Sequence, residues 1–154
     1  MHRALSEIEP TSEQFAALQR TYFGTMEKYL DAGAGACWLK HPGIAEPIVR
    51  ELTALKEWHI NAPHYSIMPN HWHALLIPAS QCERSLSEIL KRLKGRTAKN
   101  IREAVGGRGA VWQREWFDRW IRDDGEWEKT VNYIRQNPVK AGLVSRWEDH
   151  AWTR

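Results

Sequence analysis

Apolar residues recur at steps of three and four in the first part of the chain, where Phe15, Leu18, Tyr22, Met26 and Tyr29 predict an amphipathic helix over residues 12–30. Tyr22 and Tyr29 fall on its apolar stripe and are expected in the core. The stretch DAGAGACWL breaks the pattern. Ile44, Ile48, Leu52 and Leu55 then mark a second helix ending near Trp58, with Pro47 expected in its first turn, where a missing N–H costs least.

Between residues 60 and 77 the period changes. Pro69 and Asn70 punctuate two short apolar runs, which predicts a β-hairpin turning at Met68-Pro69-Asn70. On its second strand a period of two places His71, His73, Leu75 and Ile77 on one face and Trp72, Ala74 and Leu76 on the other. Tyr65 falls on the first strand. Leu86, Ile89, Leu90, Leu93 and Thr97 define a third helix, with a break expected at Gly95. The run GGRG at 106–109 is a loop signal. Trp112, Trp116 and Trp120 fit a strand face or a helix stripe equally well. A last helix starts after Asp123-Asp124-Gly125, carries the stripe Trp127, Val131 and Ile134, and is expected to stop at Asn137, because Pro138 disfavours helical geometry in the residue before it.

Composition narrows the classes. A length of 154 residues with 42% hydrophobic positions suits one domain, taken here as 1–154, that needs no disulfide to build its core. No apolar run approaches the length of a membrane span, and the opening MHRALSEIEPTSEQ lacks the features of a secretory signal. A soluble, cytoplasmic protein with no membrane partner is the expectation. Cys37 and Cys82 form no CxxC pair and read as reduced. The net charge of +3 is modest, but Lys91, Arg92, Lys94, Arg96, Lys99 and Arg102 stand together with no acidic residue among them, a positive strip suited to an anionic partner. Exposed members of the nine tryptophans could stack on unpaired bases.

Two histidines at i and i+2 of a strand can present imidazole nitrogens to one ion, or can simply be polar residues at a strand end satisfied by hydrogen bonds. Tyr133 lies about 100° around the last helix from Ile134, off the apolar stripe, on a side shared with Lys129, Gln136 and Asn137. It could be a half-exposed packing residue or a nucleophile. Asn137, one turn on, could offer an amide oxygen as a ligand or could be a plain helix stop before proline.

The segments MPNHWHALL at 68–76 and YIRQNPVKAGLV at 133–144, supported by LDAGAGACWL, LKRLKGRTAKNI and VWQREWFDRWIRD, resemble the single-tyrosine HUH transposases, the insertion-sequence-200-like group. Within them they resemble the REP-associated tyrosine transposases, which act on repetitive extragenic palindromes. The resemblance implies an α+β fold with a ferredoxin-like central antiparallel sheet, the HUH motif on a central strand and the catalytic tyrosine on a C-terminal helix. It makes the 112–122 segment strand-like. It implies that His71 and His73 hold a divalent ion, Mg2+ or Mn2+, with Asn137 as third ligand, and that Tyr133 attacks DNA to form a 5′-phosphotyrosine. Single-stranded or hairpin DNA is the implied partner, with Lys91, Arg92, Lys94, Arg96, Lys99, Arg102 and Lys129 as candidate phosphate contacts; monomer and homodimer both stay open.

One departure stands out. Members of the family usually open with a strand, whereas here the helical pattern begins almost at once, so residues 1–12 predict a missing N-terminal strand. Two rival classes remain beside the transposase reading: a non-catalytic nucleic-acid binder using the basic strip and tryptophans, and a metal-dependent hydrolase using His71, His73 and a carboxylate.

Overall fold

Helix α1 (Pro42–Ala54) opens on a proline at its first position, whose fixed φ and absent N–H suit a helix start. The computed structural model describes residues 25, 26, 28–30, 33, 35–114 and 116–154. Their contacts divide the chain into two units, Met1–Gly35 and Ala36–Arg154. In the first unit, Thr25, Met26, Lys28, Tyr29 and Leu30 are helical. The expected N-terminal helix otherwise lies outside the described residues, as do Tyr22 and residues 1–12 with the question of a missing strand. Tyr29 is 60% exposed, against the expectation that it packs in the core. Spacing says which face of a helix a residue takes, not whether another element covers that face.

In the second unit, α1 is followed by a 3-10 turn, Leu55–Trp58, which His59 ends in left-handed geometry at φ 58. Strands β1 (Ile60–Ile67) and β2 (Trp72–Pro78) form the expected antiparallel hairpin. Its turn is closed by the Met68 N–H donating to the His71 carbonyl at 2.8 Å. A bulge between Asn61 and His64 falls where Pro63 has no N–H to give the ladder. Helix α2 (Leu86–Val105) starts on a capping box, in which the Ser85 hydroxyl accepts from the Glu88 N–H while the Glu88 carboxylate accepts from the Ser85 N–H. Helix α3 (Asp124–Lys140) is capped by the Asp123 carboxylate, which accepts from the Glu126 N–H at 2.8 Å.

The hairpin serves two cores, and its period of two sorts side chains between them. Trp72, Ala74 and Leu76 pack against the larger cluster, built by Ile44, Ile48, Leu52, Leu55, Ile60, Ile67, Leu90, Leu93 and neighbours from α1, α2 and β1. Leu75, of opposite parity, joins Val131 and Ile134 of α3 in a smaller one, with Ile121, Trp127 and Tyr133 packed around it. The fold is therefore α+β: a small antiparallel sheet between helices. The histidine face of β2 looks toward α3.

Four expectations are corrected. Pro47 lies inside α1 rather than in its first turn, a place that Pro42 takes. Gly95 does not break α2, because a helix-interior glycine costs only about 1 kcal/mol while Leu93, Thr97, Ala98 and Ile101 are buried on both sides of it. Helix α3 runs through Pro138 to Lys140 rather than stopping at Asn137. There Pro138 is itself buried, the Asn137 side-chain amide donates to the Tyr133 carbonyl, and the chain turns off with Ala141 N–H donating to Asn137 and Leu143 N–H to Pro138. Finally, residues 112–122 form no strand among the described residues. Their polar groups go to α2 instead of a ladder: the Lys94 ammonium donates to the carbonyls of Gln113 and Arg114, and the Trp112 indole donates to Thr97 Oγ1 at 2.9 Å. The sheet among these residues accordingly has two strands, where the resemblance implies a larger ferredoxin-like one with the histidine strand at its centre. On its other side β1 meets residues near 153 through a single bridge, Ser66 to Thr153.

Candidate functional site

His71 stands one residue before β2, at the hairpin turn, and His73 is the second residue of the strand. Their Nε2 atoms are 3.0 Å apart and their rings meet edge to face, with centroids 4.8 Å apart. Asn70, which sequence reading passed over as a turn residue, orients the pair. Its side-chain oxygen accepts from Nδ1 of His71 at 2.8 Å, so the proton of neutral His71 sits on Nδ1 and its Nε2 carries the lone pair. The proton shared between the rings then belongs to His73 Nε2.

Burial keeps both rings neutral. Desolvation pushes the His71 pKa down to about 4. Desolvation first, and the charge on His71 second, push His73 down to about 3. A neutral imidazole is the form that binds metal. Two nitrogens bound at about 2.1 Å and at right angles around one ion would lie about 3.0 Å apart, so this spacing suits two ligands of a single divalent ion once the His73 proton shifts from Nε2 to Nδ1. An imidazole held through its other N–H by a side-chain oxygen is the usual support for a histidine ligand, and Asn70 supplies it. Among the described residues no group of three or more His, Cys, Asp or Glu is arranged to hold a metal.

Helix α3 brings Tyr133 to the same place. Its ring lies 5.3 Å from that of His73, nearly perpendicular to it, and its hydroxyl is shut away from solvent. Tyr133 is not on a purely polar face, as its position off the stripe predicts: its ring packs against the Leu75, Val131 and Ile134 cluster. A helix face about 100° from the core stripe is still covered when a strand crosses beside it. Asn137 is 2% exposed and ties back one turn to the Tyr133 carbonyl at 3.2 Å. Lys129 stands exposed on α3. A cation over the Tyr133 ring is Lys140, with Nζ 5.4 Å from the centroid. Lys140 lies seven residues after Tyr133, two helical turns on, a spacing that signals a shared face.

The basic strip divides. Arg92 pairs with Glu57 at 2.9 Å and lies over Trp58, and Arg96 pairs with Glu51 at 3.2 Å, so both help hold α2 to neighbouring elements. Lys94 is engaged by the 112–122 segment as described above. Arg102 reaches the Gly109 carbonyl at 3.4 Å, and Lys99 lies 4.0 Å from Glu103. Lys91, Lys99 and Arg102 are exposed. Trp116 and Phe117 are each 38% exposed and Trp120 78%.

The hairpin thus brings two neutral histidines together beside a tyrosine delivered by a separate helix. In comparison with known families, residues 45–137 match the one described as transposase, IS200 like. The chain belongs to that family. No curated protein matches it. A solved structure of a REP-associated tyrosine transposase bound to a REP hairpin shares its fold, with a TM-score of 0.60 and 20% sequence identity over 78% of this chain and 68% of that one. Among the described residues no helix is long and apolar enough to cross a membrane.

Proposed function

We propose that this chain cleaves and rejoins single-stranded or hairpin DNA through Tyr133, with a divalent ion, Mg2+ or Mn2+, held by His71, His73 and Asn137. The observation that carries the reading is the juxtaposition of His71, His73 and Tyr133: the two Nε2 atoms lie 3.0 Å apart, and the His73 and Tyr133 ring centroids 5.3 Å apart. The likeness to a transposase solved on a REP hairpin supports hairpin DNA as the substrate class. When bound, the ion supplies positive charge that offsets charge developing on the scissile phosphate.

The chain's own residues do the rest. Asn70 holds His71 in the tautomer that leaves Nε2 bare. Burial keeps both imidazoles unprotonated, and Leu75 fixes the strand against α3 so that Tyr133 stays beside them. A neutral phenol is a poor nucleophile, and the Lys140 ammonium stands over the Tyr133 ring, 5.4 Å from its centroid. In the proposed step the Tyr133 oxygen bonds to phosphorus, and its proton passes, in the net balance, to the departing 3′ oxygen. The bond from phosphorus to the 3′ oxygen breaks, and that oxygen takes up a proton. The product is a 5′-phosphotyrosine with a free 3′-hydroxyl. Because the diester's energy is kept in the new bond, a 3′-hydroxyl from another strand reverses the step without ATP. Exposed Lys91, Lys99, Arg102 and Lys129 would contact phosphates along the strand, while Arg92, Lys94 and Arg96 are engaged within the fold. Binding is then steeply salt-dependent.

The test is incubation of the protein with single-stranded and hairpin oligonucleotides and Mn2+, followed by a denaturing gel for covalent adducts. Wild type forms an adduct that mass spectrometry maps to Tyr133, and Tyr133→Phe forms none while still binding DNA. An adduct that persists in Tyr133→Phe, or maps elsewhere, refutes the assignment. DNA binding with no adduct under any condition would instead favour the binder alternative.

A further inference from the structure

On the side of α3 away from Tyr133 the structure holds a cleft of about 260 Å3 lined by Trp127, Glu128, Val131, Asn132, Arg135 and Trp147. The five α3 positions recur at i, i+1, i+4, i+5 and i+8, one face of the helix, and the face centre lies roughly 170° around from Tyr133. We propose that this cleft receives an unpaired nucleobase of the bound strand, a site separate from the cleavage centre that rests on the DNA reading above.

Three features point to that ligand. The volume is below the roughly 300–1,000 Å3 of clefts that enclose drug-sized molecules, and suits a single planar ring system. Its walls are aromatic: Trp127 offers an indole, itself met edge-on by the His64 ring at 6.1 Å, and Trp147 is capped by the Arg135 guanidinium 4.5 Å from its centroid. A base has a π-face to lay against an indole or a guanidinium plane. Arg135 also holds its Nε–H shut away from solvent, with no acceptor among the described residues. Because Nε is closed off, a base edge would meet Arg135 through its terminal guanidinium N–H groups, for which ring nitrogens and carbonyls are acceptors.

The rim argues against a bare phosphate. Glu128 and Asn132 are exposed beside the cleft, and a carboxylate there repels an anion while accepting from an exocyclic amino group or ring N–H. A flat, uncharged group with both donors and acceptors around its edge matches this lining; a phosphate does not.

The test is an abasic scan. A single-stranded oligonucleotide bound in the presence of chelator, so that it is not cleaved, is varied by replacing one base at a time with an abasic unit. Affinity is read by fluorescence anisotropy for wild type, Trp127→Leu and Arg135→Gln. Loss of a stacked base weakens binding roughly 5- to 150-fold, so in wild type one or two positions should show a loss of that size. In both variants the same positions should show a loss within about twofold. Trp127 also backs the cluster beneath Tyr133, so Arg135→Gln carries the test if Trp127→Leu does not fold. If the strand binds and every abasic position costs the same in wild type and Arg135→Gln, the cleft holds no base, although the DNA reading stands. If no strand binds wild type, both fall.

Discussion

Leu75 is the residue through which the small core joins the two halves of the candidate site, since it follows His73 by two positions on β2 and packs with Val131 and Ile134 under Tyr133. It is 7% exposed. Leu75→Ala deletes three buried carbons, which at about 0.8 kcal/mol each gives about 2.4 kcal/mol of lost burial. The cavity left behind raises this toward the 2–5 kcal/mol typical of such truncations. Among the described residues three buried side chains, Leu75, Val131 and Ile134, make up this cluster, so the loss falls on the docking of α3 rather than on the packing of α1 and α2. Urea denaturation should therefore show a loss of at least about 2 kcal/mol. Amide exchange should rise in α3 well before it rises in α2. Under conditions where the variant is folded, adduct formation should fall, because Tyr133 is no longer held against His73. Leu75→Met keeps most of the volume and should cost less than about 1.5 kcal/mol, with adduct formation retained. A loss under 1 kcal/mol in Leu75→Ala, or equal deprotection of α2 and α3, would refute the idea that this cluster docks α3 independently.

His71→Ala and His73→Ala should each abolish adduct formation while leaving DNA affinity within about threefold, because phosphate contacts elsewhere dominate binding; cleavage by the double variant in chelator would end the metal proposal. Asn70→Ala frees the His71 ring and should weaken Mn2+ binding by roughly 10- to 100-fold, measured by calorimetry. Stability of the metal-free protein should be flat above about pH 7 and decline as pH falls. The unfolded chain protonates these histidines near 6.5, whereas the folded one resists until about 4 for His71 and about 3 for His73, so the unfolded state binds more protons in that interval and gains on acidification. Urea midpoints taken from pH 8 to pH 4 check this, and a rise in midpoint on acidification would contradict the burial of the pair.

Much of this molecule is decided by local pattern. The turn at Met68-Pro69-Asn70, the parity that puts His73 and Leu75 on one side of β2, and the stripe Trp127, Val131 and Ile134 all follow from periods of two and 3.6 along the chain, and they appear as read, while His71 stands at the turn, one residue before the strand. The segments around His71 and Tyr133 were also enough to indicate the family. Tertiary structure decided what pattern does not encode. Local sequence sets His71 at the turn and His73 on β2, but the packing of α3 across Leu75 sets the Tyr133 ring 5.3 Å from that of His73. Gly95 and Pro138 are local breakers that burial on either side overrides, so both helices run on. The tryptophans of 112–122 could suit a strand by their composition, yet a strand needs a partner ladder, and here Lys94 and Thr97 of α2 take up the segment's polar groups instead. The basic strip reads as one patch in sequence, whereas folding turns Arg92 and Arg96 toward carboxylates of other elements, because charge pairing depends on which surfaces meet and sequence order alone does not specify that.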